Sequence, residues 1–479
     1  MPWKIPLADL DFGPEESAAV QKVLESRWLT MGEITQEFEH TFASYNQVKH
    51  AFAVANGTAA LHLACAAIGL GRGDEVITPA LTFVATANAI RYTGAVPVFA
   101  DIVSPTDLTI DPQAIEALIN DRTKAIMLMH YGGYACDMAA ILALARKYHL
   151  SVIEDAAHAL GTRYNGQCVG QRGTSIFSFH PIKNITTGEG GMLLTDDASL
   201  AEAARSKRNL CFTAERRFVH EELGYNMRMS NLQAAVGVAQ LERLDEHLAR
   251  KHAIGARYRE LLTDVPGLAL PAEATAHARN GYWVFGVLLG DEVEADAADV
   301  MRLLAERGIG TRPFFYPMHL QPVFRRAGLF EGVSCPVAER LATRGFYLPS
   351  GLALTDAQIT KQIEYCLDKG WAVGIEYTDD PHPRNTFWEM YGNPMFDLKD
   401  PAGILMEINA CRKTFPDQYV RVTAFDSTHG TESVVLSFIV NRPKQEPGFR
   451  LIRTEEPGRS IRYSIESYAV AQRPEGARY

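Results

Sequence analysis

Lys183 lies in SIFSFHPIKNITTGEGGMLLTDD (175–197), a polar, glycine-flanked loop between two apolar, strand-like runs. A lysine amine is a nucleophile, and it condenses with an aldehyde or ketone once burial lowers its pKa. Taken alone, a lysine in such a loop reads as a surface residue, so its meaning depends on its company. Asp155 closes the run LSVIED and should sit at the C-terminal edge of a parallel strand, where α/β sheets place ligands. A carboxylate there suits a protonated pyridine nitrogen, although a lone Asp after a strand equally serves as a helix N-cap. Asn56, Gly57 and Thr58 follow another strand-like run and open the helix AALHLACAAIGL. Backbone N–H groups and a hydroxyl at a helix N-terminus suit a phosphate, or simply cap the helix. Ser178 offers a second hydroxyl, and Phe83 in PALTFVATANA offers a ring for stacking, with core packing as its plain alternative. Each feature is weak singly. Together they assemble a phosphate site, a ring-nitrogen partner, a stacking face and a lysine, a constellation hard to obtain by chance.

The elements that must position these residues alternate. AFAVAN, DEVITPA, VPVFADI, KAIMLMHY and LSVIEDAA are short apolar runs separated by helix-like stretches between residues 50 and 240. That order predicts a mostly parallel sheet covered on both faces. Residues 231–263 read as one long amphipathic helix. Past Pro266 the pattern becomes a smaller α+β segment, with WVFGVLL as a strand and ADVMRLLAERG as a helix closed by Gly308. Residues 371–479 change character, being rich in aromatics and arginine with alternating strand patterns.

Composition narrows the class. The chain has 479 residues, 47% of them hydrophobic, and a formal net charge of -10, so a general nucleic-acid or membrane-surface binder is disfavoured. The seven cysteines are scattered, odd in number and without a CxxC pair, which suggests free thiols rather than a disulfide framework or a metal site. MPWKIPLADLDFGPEE carries early acidic residues and no apolar core, and no apolar run reaches the ~20 residues of a membrane span. A cytoplasmic protein is expected.

NGTAALHLA, PALTFVATANAI, VIEDAAHALG, SFHPIKNITTGEGGML and GYNMRMSNLQAAVGVAQLERLD, in this order, resemble the DegT/DnrJ/StrS family of sugar aminotransferases across residues ~5–355. The resemblance implies an α/β, type I (aspartate-aminotransferase-like) fold. Its pyridoxal phosphate-binding large domain would span 1–240 and its small domain 241–354. It implies Lys183 as the cofactor-bonded lysine and general acid/base, Asp155 at the pyridinium nitrogen, and His158 near the ring hydroxyl. Phe83 would stack on the ring, and Asn56, Gly57, Thr58 and Ser178 would serve the phosphate. Asn226 would reach the phosphate of a neighbouring subunit, which implies a homodimer, and Glu189 would order the lysine loop beside the substrate. Relatives acting as 3-dehydratases carry histidine in place of this lysine, so Lys183 favours transamination with L-glutamate as donor. GIGTRPFFYPMH (308–319) resembles the perosamine-synthase branch, placing Arg312 and His319 near a nucleotide-linked 4-keto-6-deoxyhexose, whereas SFHPIKN resembles a branch acting on a 4-keto-pentose.

From about residue 355 the chain closely resembles a second family. LTDAQITKQIEYCLDKGWAVGIEYTDDPHPRNTFWEMYGNPMFDLKD and YVRVTAFDS resemble the small subunit of red-type ribulose-bisphosphate carboxylase/oxygenase (Rubisco). For 355–479 this implies an α+β assembly domain with four antiparallel strands, two helices and a C-terminal hairpin, and a Rubisco large subunit as partner. The alternatives to an aminotransferase with an appendage are a small-subunit-type scaffold and an unevolved hybrid.

Overall fold

The computed structural model describes residues 3, 5–213, 216 and 218–352, and beyond them 372–378, 389–391, 401–416, 418–426, 433–441, 449–456 and 460–467. The chain forms two compact units, Met1–Ala353 and Leu354–Tyr479.

The first unit contains a seven-stranded sheet. Its members are β1 (His50–Val54), β2 (Glu75–Pro79), β3 (Val96–Ala100), β4 (Thr123–Met129), β5 (Ser151–Asp155), β8 (Thr174–Ser178) and β9 (Gly191–Thr195). A two-residue hairpin, β6 (Arg163–Tyr164) and β7 (Gln167–Cys168), lies between β5 and β8. The spatial order is β1-β9-β8-β5-β4-β2-β3, and only β9 runs against the others. Successive residues feed opposite cores, which is why these strands are almost continuously apolar. On β4, Ile126 and Leu128 join Phe38, Phe42 and Phe177 on one face, while Ala125 and Met127 join Leu61, Leu63 and Ile90 on the other.

Helices α1 (Pro14–Ser26), α2 (Glu33–Asn46), α3 (Gly57–Ala67), α4 (Val84–Tyr92), α5 (Pro112–Leu118), α6 (Met138–Tyr148) and α7 (Ala198–Arg208) cover the sheet. The stretch expected as one helix is two: α8 (Asn231–Glu242) and α9 (Leu244–Leu262). Arg243 breaks it at φ -101°, ψ 5°, held there by Asp11 at 2.7 Å. The break is needed because Leu241 and Leu244 pack in the large-sheet core, whereas Tyr258 and Leu262 pack in the core of a second sheet.

That second sheet is antiparallel, in the order β10 (Leu268–Ala269), β11 (Phe285–Leu289), β13 (Gly345–Leu348), β12 (Arg312–Pro313). Helices α10 (Ala297–Glu306), α11 (Pro322–Arg326) and α12 (Pro336–Arg344) accompany it. The N-terminal segment crosses to this part of the unit, pairing Ile5 with Ile309 and passing the Leu7 carbonyl to the Ser350 amide at 3.0 Å. No periodicity in the sequence signals that return.

The second unit has a four-stranded antiparallel sheet, β15 (Glu389–Met390), β14 (Ala372–Thr378), β16 (Tyr419–Asp426), β17 (Ser433–Asn441), and a hairpin, β18 (Phe449–Glu456) with β19 (Ser460–Ser467). Helix α13 (Pro401–Thr414) presents Ile404, Ile408 and Cys411, at helical spacing, to Ile375, Val420 and Val422. The second helix implied by resemblance falls outside the described residues. Cys65, Cys136, Cys168, Cys211, Cys335 and Cys411 are buried and unbonded, while Cys366 lies outside the described residues. Among the described residues no helix is long and apolar enough to cross a membrane.

Candidate active site

The site gathers at the C-terminal edge of the large sheet, where β5 and β8 end side by side and β1 ends one strand further on, across β9. Asp155 is the last residue of β5, Ser178 the last of β8, and Asn56-Gly57 turn from β1 into α3.

Asp155 is buried, with one carboxylate oxygen accepting the Thr86 hydroxyl at 2.8 Å and the other the Ala157 amide at 3.2 Å. Burial pushes its pKa up, opposed by the Thr86 and Ala157 hydrogen bonds and by the positive charge of Lys183. Such a carboxylate is poorly solvated, which suits it to a protonated ring nitrogen.

Lys183 sits in a turn closed by its own amide on the His180 carbonyl at 2.8 Å. Its pKa is lowered to about 7, first by desolvation and further by Arg312, with Asp155 acting in the opposite direction. The amine is therefore available as a neutral nucleophile near neutral pH. The loop beyond it is stiffened locally. Thr186 donates its hydroxyl to the Phe179 carbonyl at 2.8 Å, and Thr187 and Gln233 donate to the Glu189 carbonyl at 2.8 and 2.7 Å.

The N-terminus of α3 is pressed against β8. A Cβ at Gly57 would stand 2.8 Å from Ser178 Cβ, and one at Gly191 would stand 2.6 Å from the Asn56 carbonyl oxygen. Two glycines thus bring the first turn of α3 up against the Ser178 hydroxyl and the end of β9 against Asn56. This cradle fits a phosphate. The Asn56 side chain caps the helix, accepting the Ala59 amide at 2.8 Å, so it shapes the cradle rather than facing into it.

Phe83 precedes α4 and is 50% exposed as a residue, its ring 5.4 Å from that of Phe315. His158 is buried, and its Nδ1 accepts the Gly132 amide at 3.4 Å. Desolvation and Lys183 hold its pKa well below the usual histidine range, so the ring is neutral. Arg312 and Glu189 are exposed, and both act electrostatically on His180, an exposed residue of the lysine loop. His319 is elsewhere in character: it is fully buried, with Nε2 2.9 Å from a Glu339 oxygen. Asn226 is exposed on a bridge to Asn209.

Trp283 was not legible as a site residue. It begins a strand-like run 101 positions from Ile182, yet its indole N–H donates to the Ile182 carbonyl at 2.8 Å. Its ring stacks on His158 at 3.4 Å between centroids, and Lys183 Nζ lies 4.2 Å from its ring centre. Only an unusual Trp at the head of a strand hinted at it.

A desolvated lysine, a strand-end carboxylate and a glycine-lined phosphate cradle on a mostly parallel sheet define a type I pyridoxal phosphate aminotransferase. The profile of the DegT/DnrJ/EryC1/StrS aminotransferase family matches residues 11–366, and the chain belongs to that family, whose members depend on pyridoxal 5′-phosphate. It is 41% identical over 346 residues to GDP-perosamine synthase of Caulobacter vibrioides, covering 72% of this chain and 92% of that protein. It is also 41% identical over 384 residues to the spore coat polysaccharide biosynthesis protein SpsC of Bacillus subtilis, covering 77% and 96%. The structure of S. venezuelae DesV superimposes with a TM-score of 0.69 at 34% identity, covering 76% of this chain and 97% of that one. The profile of ribulose bisphosphate carboxylase, small chain, matches residues 346–443.

Proposed function

We propose that the chain transfers an amino group from L-glutamate to the keto carbon of a nucleotide-diphospho-4-keto-6-deoxyhexose, in the manner of a perosamine synthase. The observation that carries this reading is the desolvated Lys183 opposite the buried Asp155, on a chain 41% identical to a GDP-perosamine synthase.

Bound pyridoxal phosphate supplies an electron sink for the bond broken at the amino donor's Cα. The protein's part is binding and proton transfer. Gly57, Thr58 and Ser178 would hold the phosphate, Phe83 would cover the ring, and Asp155 would keep the ring nitrogen protonated while Thr86 keeps Asp155 ionised. Lys183 Nζ would withdraw the Cα proton of the donor and return one to the carbon that was the sugar's ketone. Neutral His158 would meet the ring without adding charge. Arg312 and Glu189 would border the sugar nucleotide, whereas the buried His319 is bonded to Glu339. We assign Asn226 to a neighbouring copy's phosphate, so the working form is a homodimer. The large domain is assigned to 1–240, the small domain to 241–354, and a small-subunit-like module to 355–479.

The test is incubation of the full chain with L-glutamate and a GDP-linked 4-keto-6-deoxyhexose, reading the amino sugar nucleotide by mass spectrometry. Product together with stoichiometric 2-oxoglutarate is expected. Absence of product from this acceptor, with cofactor bound and the 2-oxoglutarate still formed, would overturn the hexose assignment.

The match of residues 346–443 to the small chain favours a second reading for the tail alone, binding to a Rubisco large subunit. Co-elution with large-subunit octamers in size exclusion is the expected result, and separate elution would dismiss it.

A further inference from the structure

Five contacts converge on Trp283, one of them an edge-on ring contact with Tyr347 at 6.2 Å. Its indole N–H holds the carbonyl of Ile182, the residue before Lys183, at 2.8 Å. Its ring lies flat on His158, 14° from parallel, and Lys183 Nζ stands 4.2 Å from its centre. Its own carbonyl is held at 3.1 Å by the ammonium of Lys251, which reaches it from α9 and also donates to the Ser350 carbonyl. Trp283 is 3% exposed and Lys251 4% exposed, so neither is a surface contact. A buried lysine spent on a backbone carbonyl fixes where the indole stands.

An aromatic face attracts a cation, and the attraction grows where water is excluded. Of the three groups against this ring, Tyr347 and His158 are held neutral by desolvation, which leaves Lys183 as the cation it receives. We propose that Trp283 is a positioning residue that docks the Lys183 amine when that amine is free of the cofactor and protonated. The aldehyde-bonding lysine must leave and return in every transamination half-reaction. A fixed docking place keeps it beside the reacting carbon instead of released into solvent, which favours its return. This inference rests on Lys183 being the reactive lysine.

The charged and titratable groups facing Lys183 are Asp155 from β5, His158 just beyond β5, Arg312 from β12 and His180 in its own loop. Replacing Trp283 leaves Asp155, Arg312 and His180 as they are, while His158 loses its indole partner in both variants. The test uses the full chain freed of cofactor and reductive methylation of Lys183 across pH 6–11, read by peptide mass spectrometry. Trp283→Phe and Trp283→Leu both lose the indole N–H and leave similar space, but only Phe keeps an aromatic face. The labelling midpoint of Trp283→Phe is expected about 0.5–1 pH unit above that of Trp283→Leu. Equal midpoints in the two variants, or a higher one for Leu, overturn the proposal.

Should either variant fail to fold, 5-fluorotryptophan in the unaltered sequence weakens the face without changing its shape. A lower Lys183 midpoint is then expected, and an unchanged one overturns the proposal. The readout needs no turnover. Failure here is therefore separate from failure of the aminotransferase reading, which Lys183→Ala decides by activity.

Discussion

A methyl group added at Gly57 would stand 2.8 Å from Ser178 Cβ and 3.1 Å from its hydroxyl. The helix that opens at Gly57 and the strand that ends at Ser178 are therefore held at a separation only glycine permits. Gly57→Ala must push α3 away from β8, and overpacking of this kind costs roughly 1–3 kcal/mol. Because the displaced amides belong to the phosphate cradle, pyridoxal phosphate affinity should fall at least about tenfold. Titration of cofactor-free protein followed by absorbance measures it, and an unchanged Kd would remove the cradle from the site.

Lys183→Ala should reduce transamination by about 10³-fold or more, since it removes the amine that moves the proton. Cofactor binding should survive through Asp155 and the phosphate cradle. Turnover at the normal rate in this variant would refute the assignment.

The pH dependence follows from the direction of the Lys183 shift. Its folded value, about 7, lies below the ordinary 10.5, so the folded chain binds fewer protons than the unfolded chain between those limits. Stability of the cofactor-free protein should therefore rise with pH across that window, and the full cost of the buried charge should apply below pH 7. Lys251, lowered to about 8, adds a slope of the same sign. Thermal melts compared with Lys183→Met isolate the first contribution: the variant should melt with a shallower rise between pH 7 and 9. Arg312→Ala should move the Lys183 labelling midpoint upward, because Arg312 disfavours the ammonium.

Thr86→Val should lower kcat about 10–100-fold, given that a hydrogen bond to a charged group contributes roughly 1.5–3 kcal/mol. The Thr86 hydroxyl lies 2.8 Å from Asp155 and favours its ionised form. A kcat equal to wild type would show that Asp155 needs no such support.

Ile408 is fully buried in the core of the second unit. Ile408→Ala should destabilise that unit by about 2–5 kcal/mol. Transamination should be unaffected if residues 1–353 carry the whole activity. Loss of activity in parallel with melting of the second unit would tie the two units together.

Much of the site was readable because its residues act through local chain geometry. Asp155, Ser178 and Gly57 each stand at a strand end or helix start, and strand-helix alternation announces such positions without any knowledge of the fold. The cap at Asn56 was equally local, since its side chain bonds an amide three residues on. Reading 231–263 as one helix failed because periodicity reports which residues are apolar and not which core each one enters.

What sequence alone determined, then, is the order of elements, the mostly parallel sheet, the lysine and its carboxylate, because apolar runs and turn residues act over a few positions. Tertiary structure decided what surrounds the lysine. Trp283 comes from the segment before β11, 100 residues away, and Lys251, from α9, fixes it. It also decided that His319 turns inward to Glu339 while Arg312 stays in reach of Lys183. Desolvation and through-space charge depend on which distant segments close over a group, and no local pattern of residue types encodes that closure.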